Sequence, residues 1–146
     1  MTTEKELKQR CTPEIIKRMV ELAEGFEFIQ DSKGDINLCH IKAPDGFKTY
    51  FGSIKDKEYT LNFSTLIHRA VEGWNKKDIE YQIRIDGDEV YIPMWEQGES
   101  SCKFFKKSSD YQKESLTQLE CAMLDCLLDI FSGNRKSEIE MNGGIG

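Results

Sequence analysis

Histidine is scarce in this chain, with two in 146 residues, and the patterns that announce chemistry are missing. There is no phosphate-binding Gly-x-x-x-x-Gly-Lys loop, dinucleotide glycine fingerprint, His-Glu-x-x-His pair or Gly-x-Ser-x-Gly elbow. No cofactor is therefore expected, and no catalytic residue stands out. No apolar run is long enough to span a bilayer, so no membrane partner is expected. The opening Met1-Thr2-Thr3-Glu4-Lys5 is too polar for an export signal. Cys-x-x-Cys is absent as well. The five cysteines, Cys11, Cys39, Cys102, Cys121 and Cys126, are odd in number and irregular in spacing. They read as free thiols of a reducing, cytoplasmic compartment. Basic charge is also in deficit. With 20 Lys and Arg against 26 Asp and Glu, the net charge of −6 disfavours non-specific contact with phosphate backbones.

What is present is one core's worth of apolar residues, 38% of the chain, in periodic runs. Residues 1–132 read as one α+β domain, with 1–11 frayed and 133–146 a disordered tail. Thr12-Pro13-Glu14 is a helix start, with an N-cap, a proline in the first turn and an acid at the positive end of the dipole. Ile15, Ile16, Met19, Val20, Leu22 and Ala23 give this helix its apolar face. Three strands follow, at Phe26–Gln30, Asp35–Lys42 and Phe47–Phe51. A four-residue turn at Ala43-Pro44-Asp45-Gly46 sets Leu38 opposite Phe51 and His40 opposite Thr49. Phe28, Leu38 and Phe51 then share one face.

A second helix runs from about Asn62 to Asn75, with Phe63, Leu66, Ile67, Ala70, Val71 and Trp74 as its stripe. The clearest local signal is a hairpin over Ile79–Met94, with Asp86-Gly87 as a two-residue turn. That turn pairs Ile85 with Asp88, Ile83 with Val90, Tyr81 with Ile92 and Ile79 with Met94, and it sets Arg84 opposite Glu89. A sixth strand covers Cys102–Lys106. Ser115-Leu116-Thr117-Gln118 reads as a capping box that starts a long helix reaching Phe131. The predicted order is α-βββ-α-βββ-α, an antiparallel sheet of about six strands with three helices packed on it.

Four groups of residues could carry function. Cys39 adjoins His40, but neighbours on a strand point to opposite faces, so the two do not form a nucleophile–base pair. Asp86, Asp88 and Glu89 cluster at a turn without a cation-binding loop's ligand set, so no metal is expected. Lys103-Phe104-Phe105-Lys106-Lys107 interleaves basic and aromatic residues on a strand, as a single-stranded nucleic-acid platform does. It reads better as a lysine-guarded edge strand, and nucleic acid is not the expected partner. Lastly, if Val90, Ile92 and Met94 face the core, then Tyr91 and Trp95 face outward, with Phe105 on the same side. Either the last helix or the loop from Gly52 to Tyr59 covers these aromatics, or they are open to a protein partner or a second copy. Tyr91, Trp95, Phe105 and Lys103 are thus the candidate binding residues.

Three segments, Arg18-Met19-Val20-Glu21-Leu22-Ala23-Glu24-Gly25-Phe26, Leu66-Ile67-His68-Arg69-Ala70-Val71-Glu72-Gly73-Trp74-Asn75 and Leu116-Thr117-Gln118-Leu119-Glu120-Cys121-Ala122-Met123-Leu124, resemble segments of small bacteriophage- and prophage-encoded proteins of unknown activity. The resemblance implies an accessory role in the cytoplasm of a bacterial host, with a host or phage protein as partner. It maps no catalytic residues.

Overall fold

A helix that is apolar on nearly every side has to be surrounded. The last helix, α4 (Gln118–Phe131), is buried from Glu120 to Phe131. In this computed structural model the other elements are laid around it. The structure describes residues 1–56, 58–77, 82–96 and 99–131; for 93–96 and 99–104 the description is of the backbone. Among the described residues there are four helices and nine strands, a mixed α+β architecture with more elements than the sequence suggests.

The N-terminus departs first from expectation. Residues 1–11 are not frayed. Thr2–Thr3 forms β1, and Glu4–Arg10 forms helix α1, capped by the Thr3 hydroxyl accepting from the Glu6 N–H. Leu7 and Cys11 are fully buried, and α1 packs on α4. The eleven residues look polar because only these two and Glu4 turn inward. A seven-residue helix gives the 3.6-residue period too little length to be read. Helix α2 (Pro13–Glu21) follows as expected, with the Thr12 hydroxyl accepting from the Ile15 N–H.

The first sheet has the order β2-β3-β4-β5: β2 (Glu27–Lys33), β3 (Ile36–Lys42), β4 (Lys48–Lys55) and β5 (Glu58–Tyr59). Its register corrects the expected one. The β3–β4 loop takes in Phe47, because the Ala43 N–H donates to the Phe47 carbonyl and Gly46 turns back at φ +92°. His40 therefore lies opposite Tyr50, and Leu38 opposite Ser53. A shift of one residue exchanges the faces. Cys39 and Ile41, not Leu38 and His40, point into the core. Phe28 lies opposite Ile41, its ring 5.9 Å from that of Phe51. The pairing also slips between Cys39 and His40, beside Gly52 at φ +134°. Residues Thr60 and Leu61 cross directly over Gly52, where a Cβ would stand 2.2 Å from the Thr60 carbonyl oxygen. That crossing leads into helix α3 (Phe63–Lys76), capped by Asn62.

The second sheet has the order β6-β7-β8: β6 (Arg84–Asp86), β7 (Glu89–Glu96) and β8 (Glu99–Lys107). Its turn is Gly87-Asp88, not Asp86-Gly87. Asp86 pairs with Glu89, Ile85 with Val90 and Arg84 with Tyr91. Gly87 takes the first central position, at φ +61°, as primed two-residue turns require. The slip is of two residues, so it changes partners and leaves the faces as expected. Ile83 sits just before β6. The Asn75 side-chain amide brackets it, accepting from its N–H at 2.8 Å and donating to its carbonyl at 3.0 Å. The expected pairings of Ile79 and Tyr81 lie outside the described residues. A turn of 3-10 helix (Ser108–Asp110) leads to β9 (Tyr111–Gln112), which pairs in parallel with β1. The capping box of α4 stands two residues later than expected. The Thr117 hydroxyl accepts from the Glu120 N–H, and the Glu120 carboxylate accepts from the Thr117 N–H.

Candidate functional site

The second sheet has one covered face. Val90 and Ile92 of β7 are fully buried, and both β7 and β8 pack on α4. Lys106, opposite Val90, also turns to α4. Its ammonium lies 2.7 Å from Asp129 and 3.5 Å from Asp125. The two aspartates are one helical turn apart, and Arg10 of α1 reaches both, at 2.8 and 3.1 Å. The Tyr111 hydroxyl donates to Asp125. Two carboxylates, two cations and a phenol thus close a network joining α1, α4, β8 and β9. Burial alone would pull the Lys106 pKa down, but the Asp129 hydrogen bond and both carboxylate charges hold it above its usual value.

On the other face strand alternation puts Tyr91 next to Val90, and Phe105 next to Lys106. Tyr91 is half-buried, and Phe105 is 46% exposed. Around them stand Arg84, opposite Tyr91, and the cross-strand pair Glu89 and Lys107. The β7–β8 pairing slips between Val90 and Ile92, so Tyr91 falls in the irregularity. Of the four sequence-predicted binding residues, Tyr91 and Phe105 therefore come to one face. Trp95 pairs with Ser100 and Lys103 with Ile92 along the backbone, while their side chains lie outside the described residues. Of the residues expected as a loop from Gly52 to Tyr59, Gly52 to Lys55 lie in β4 and Glu58–Tyr59 form β5, both in the first sheet. Because Lys106 is bound by two aspartates, it is unavailable to a phosphate, which weakens the nucleic-acid alternative.

Nucleophile and base do not meet among the described residues. Cys39 lies in the core, its thiol pushed up to about 11 by burial. His40 faces the other way, with Nδ1 3.5 Å from Asp31 and its ring 5.5 Å from that of Tyr50. The expectation that these neighbours do not pair holds. Burial likewise raises Cys121 to about 11 and Cys11 and Cys126 to about 12, leaving neutral thiols.

Sequence reasoning missed a second polar group. The Glu120 carboxylate accepts from the Ser64 hydroxyl and lies 3.0 Å from His68 Nε2. The residue types are those of a hydrolase triad, but the order is wrong. The carboxylate stands between hydroxyl and imidazole, so the base does not reach the hydroxyl it would have to deprotonate. The group ties α3 to the start of α4. Only Thr117-x-x-Glu120 hinted at it. Among the described residues no three potential metal ligands cluster, and no helix is long and apolar enough to cross a membrane.

Two clefts flank α3. One, of about 660 Å³, is lined by Leu22, Ala23 and Phe26 beneath Arg69, Glu72 and Lys76. The other, of about 600 Å³, lies toward β4, with Thr49, Tyr50, Thr60 and Thr65 around Arg69. Sequence reasoning had placed no site here.

Neither a protein-family model, nor a curated protein, nor a solved structure matches the chain.

Proposed function

We propose that the chain is a non-catalytic protein-binding module whose docking surface is the outer face of the β6-β7-β8 sheet. The observation that carries this reading is the asymmetry of that sheet. Val90, Ile92 and Lys106 are bound to α4, while Phe105 stays 46% exposed beside Tyr91. Aromatic side chains set among a few charges are the usual composition of a protein interface. Arg84, Glu89 and Lys107 supply both signs of charge at the rim. The partner is a host or phage protein, or a second copy of the chain. The accessory role in a bacterial host rests on the resemblance of the three helical segments to phage and prophage proteins.

A photoreactive phenylalanine analogue at position 105, in bacterial cells expressing the chain, tests the reading. Illumination is expected to yield one or a few discrete protein adducts. The same analogue at Phe47, an aromatic 69% exposed at the β3–β4 turn, is expected to yield none. Equal, diffuse labelling from both positions would contradict it.

A further inference from the structure

We propose that the cleft along α3 is a binding site for a small organic anion, one that joins a single carboxylate or phosphate group to an apolar body, with Arg69 as its anchor. This goes beyond the protein-docking reading and involves a different part of the fold.

Arg69 is the arginine that lines both clefts beside α3. Arg10 is bound by two aspartates, and Arg18 lies over the Phe131 ring at 4.8 Å while donating to the Phe131 carbonyl at 3.0 Å. Arg69 makes no ion pair with a described residue; its guanidinium lies 5.4 Å from the centre of the Phe26 ring. Attraction to an aromatic ring does not consume the donors of a guanidinium, whose N–H edge can still meet another partner. That edge is a fork matched to the two oxygens of a carboxylate or phosphate. Carboxylates outnumber cations in this chain, 26 to 20. The Arg69 guanidinium, over the Phe26 ring and acting on Glu72 through its charge without an ion pair, is therefore an open donor set.

The surroundings supply the rest of the site. Its apolar part is formed by Leu22, Ala23 and Phe26, and Glu24, Glu72, Lys76 and Lys77 also line the cleft. It is also rigid. Gly73, one turn after Arg69, lies so close to the end of α2 that a Cβ there would stand 2.8 Å from the Leu22 carbonyl carbon. Lys76, two turns after Arg69, adds positive charge at the rim and is itself held by Glu72 at 2.7 Å. A volume of about 660 Å³ suits a small molecule. The hydroxyls of Thr49, Tyr50 and Thr65 in the adjoining cleft offer secondary contacts on the far side of Arg69.

Titration of the full chain with phenyl phosphate, benzoate and inorganic phosphate, read by amide chemical shifts, tests the proposal. Saturable shifts at Ala23, Arg69 and Gly73 are expected with at least one phenyl probe, at lower concentration than with inorganic phosphate. The stronger phenyl probe identifies the head group. Arg69→Gln is expected to weaken binding by about tenfold or more, while Lys17→Gln, at an exposed position of α2, leaves it unchanged. Arg69→Lys keeps the charge and loses the fork; it is expected to bind more weakly than the native chain and serves if Arg69→Gln does not fold. The absence of saturable shifts at millimolar probe, equal binding by both Arg69 variants and the native chain, or tighter binding of inorganic phosphate than of either phenyl probe would overturn the proposal.

Discussion

At the scale of single residues, the charges that matter most are those turned inward. Lys106 faces Asp125 and Asp129 instead of solvent. Lys106→Met would remove one cation from the nearly buried pair Asp125 and Asp129, which Arg10 also contacts. The expected loss is about 1–3 kcal/mol in urea unfolding. Lys107→Met, at the exposed next position, is expected to change stability by less than about 0.5 kcal/mol. Equal effects would show that the network is not formed. Two glutamates add a pH dependence. Burial opposes the ionisation of Glu4, but hydrogen bonds from Ser115, Lys8 and the Leu116 N–H outweigh it, and its pKa falls below the ordinary 4.5. Burial opposes Glu120 in the same way, and Ser64, Thr117 and His68 together bring it below 4.5. In the unfolded chain both carboxyls titrate near 4.5, and in the folded chain they stay ionised to lower pH. Their stabilisation is complete above 4.5 and disappears as pH falls through the folded values. The urea midpoint should therefore drop below pH 4.5, and less steeply in Glu120→Gln. A native chain whose midpoint is flat between pH 5 and pH 3 would rule this out.

At the scale of elements, Gly52 shows what the fold demands of one position. Its φ of +134° and the chain crossing over it leave no room for a side chain. Gly52→Ala is expected to cost at least about 2 kcal/mol. Gly34→Ala, at φ +66° in open space, should cost about 1 kcal/mol. The reverse order in thermal unfolding would contradict the crossing. The same elements show what was legible in the sequence. Helices α2 and α3 were readable from their caps and apolar stripes, because those are local signals. The faces of β7 were readable because a two-residue slip preserves alternation, even though the turn moved from Asp86-Gly87 to Gly87-Asp88. The faces of β3 were not, because one extra loop residue, Phe47, exchanges them, and its bond to Ala43 is not written in any motif. Helix α1 was missed because its order comes from distant chain: it packs on α4, and the Glu4 carboxylate accepts from the Leu116 N–H, 112 positions away.

At the scale of the whole molecule, the proposed docking role depends on which sheet face α4 covers. It fills the centre, takes one face of the β6-β7-β8 sheet and leaves Tyr91 and Phe105 on the other. Sequence placed Tyr91 and Phe105 together through alternation alone, but could not say which face the last helix would take. The α3 clefts were illegible for a similar reason. Arg69 and Phe26 lie 43 positions apart and meet only through the packing of α2 on α3. The proposed docking face can be separated from the core by its indifference to charge. The most direct measurement is photo-cross-linking from position 105 repeated in a Tyr91→Glu background, with the urea midpoint of each protein recorded alongside. The adduct is expected to be lost while the midpoint moves by less than about 0.5 kcal/mol equivalent. An adduct that persists undiminished, or a midpoint that collapses as it would for a charge buried at Val90, would contradict the docking proposal.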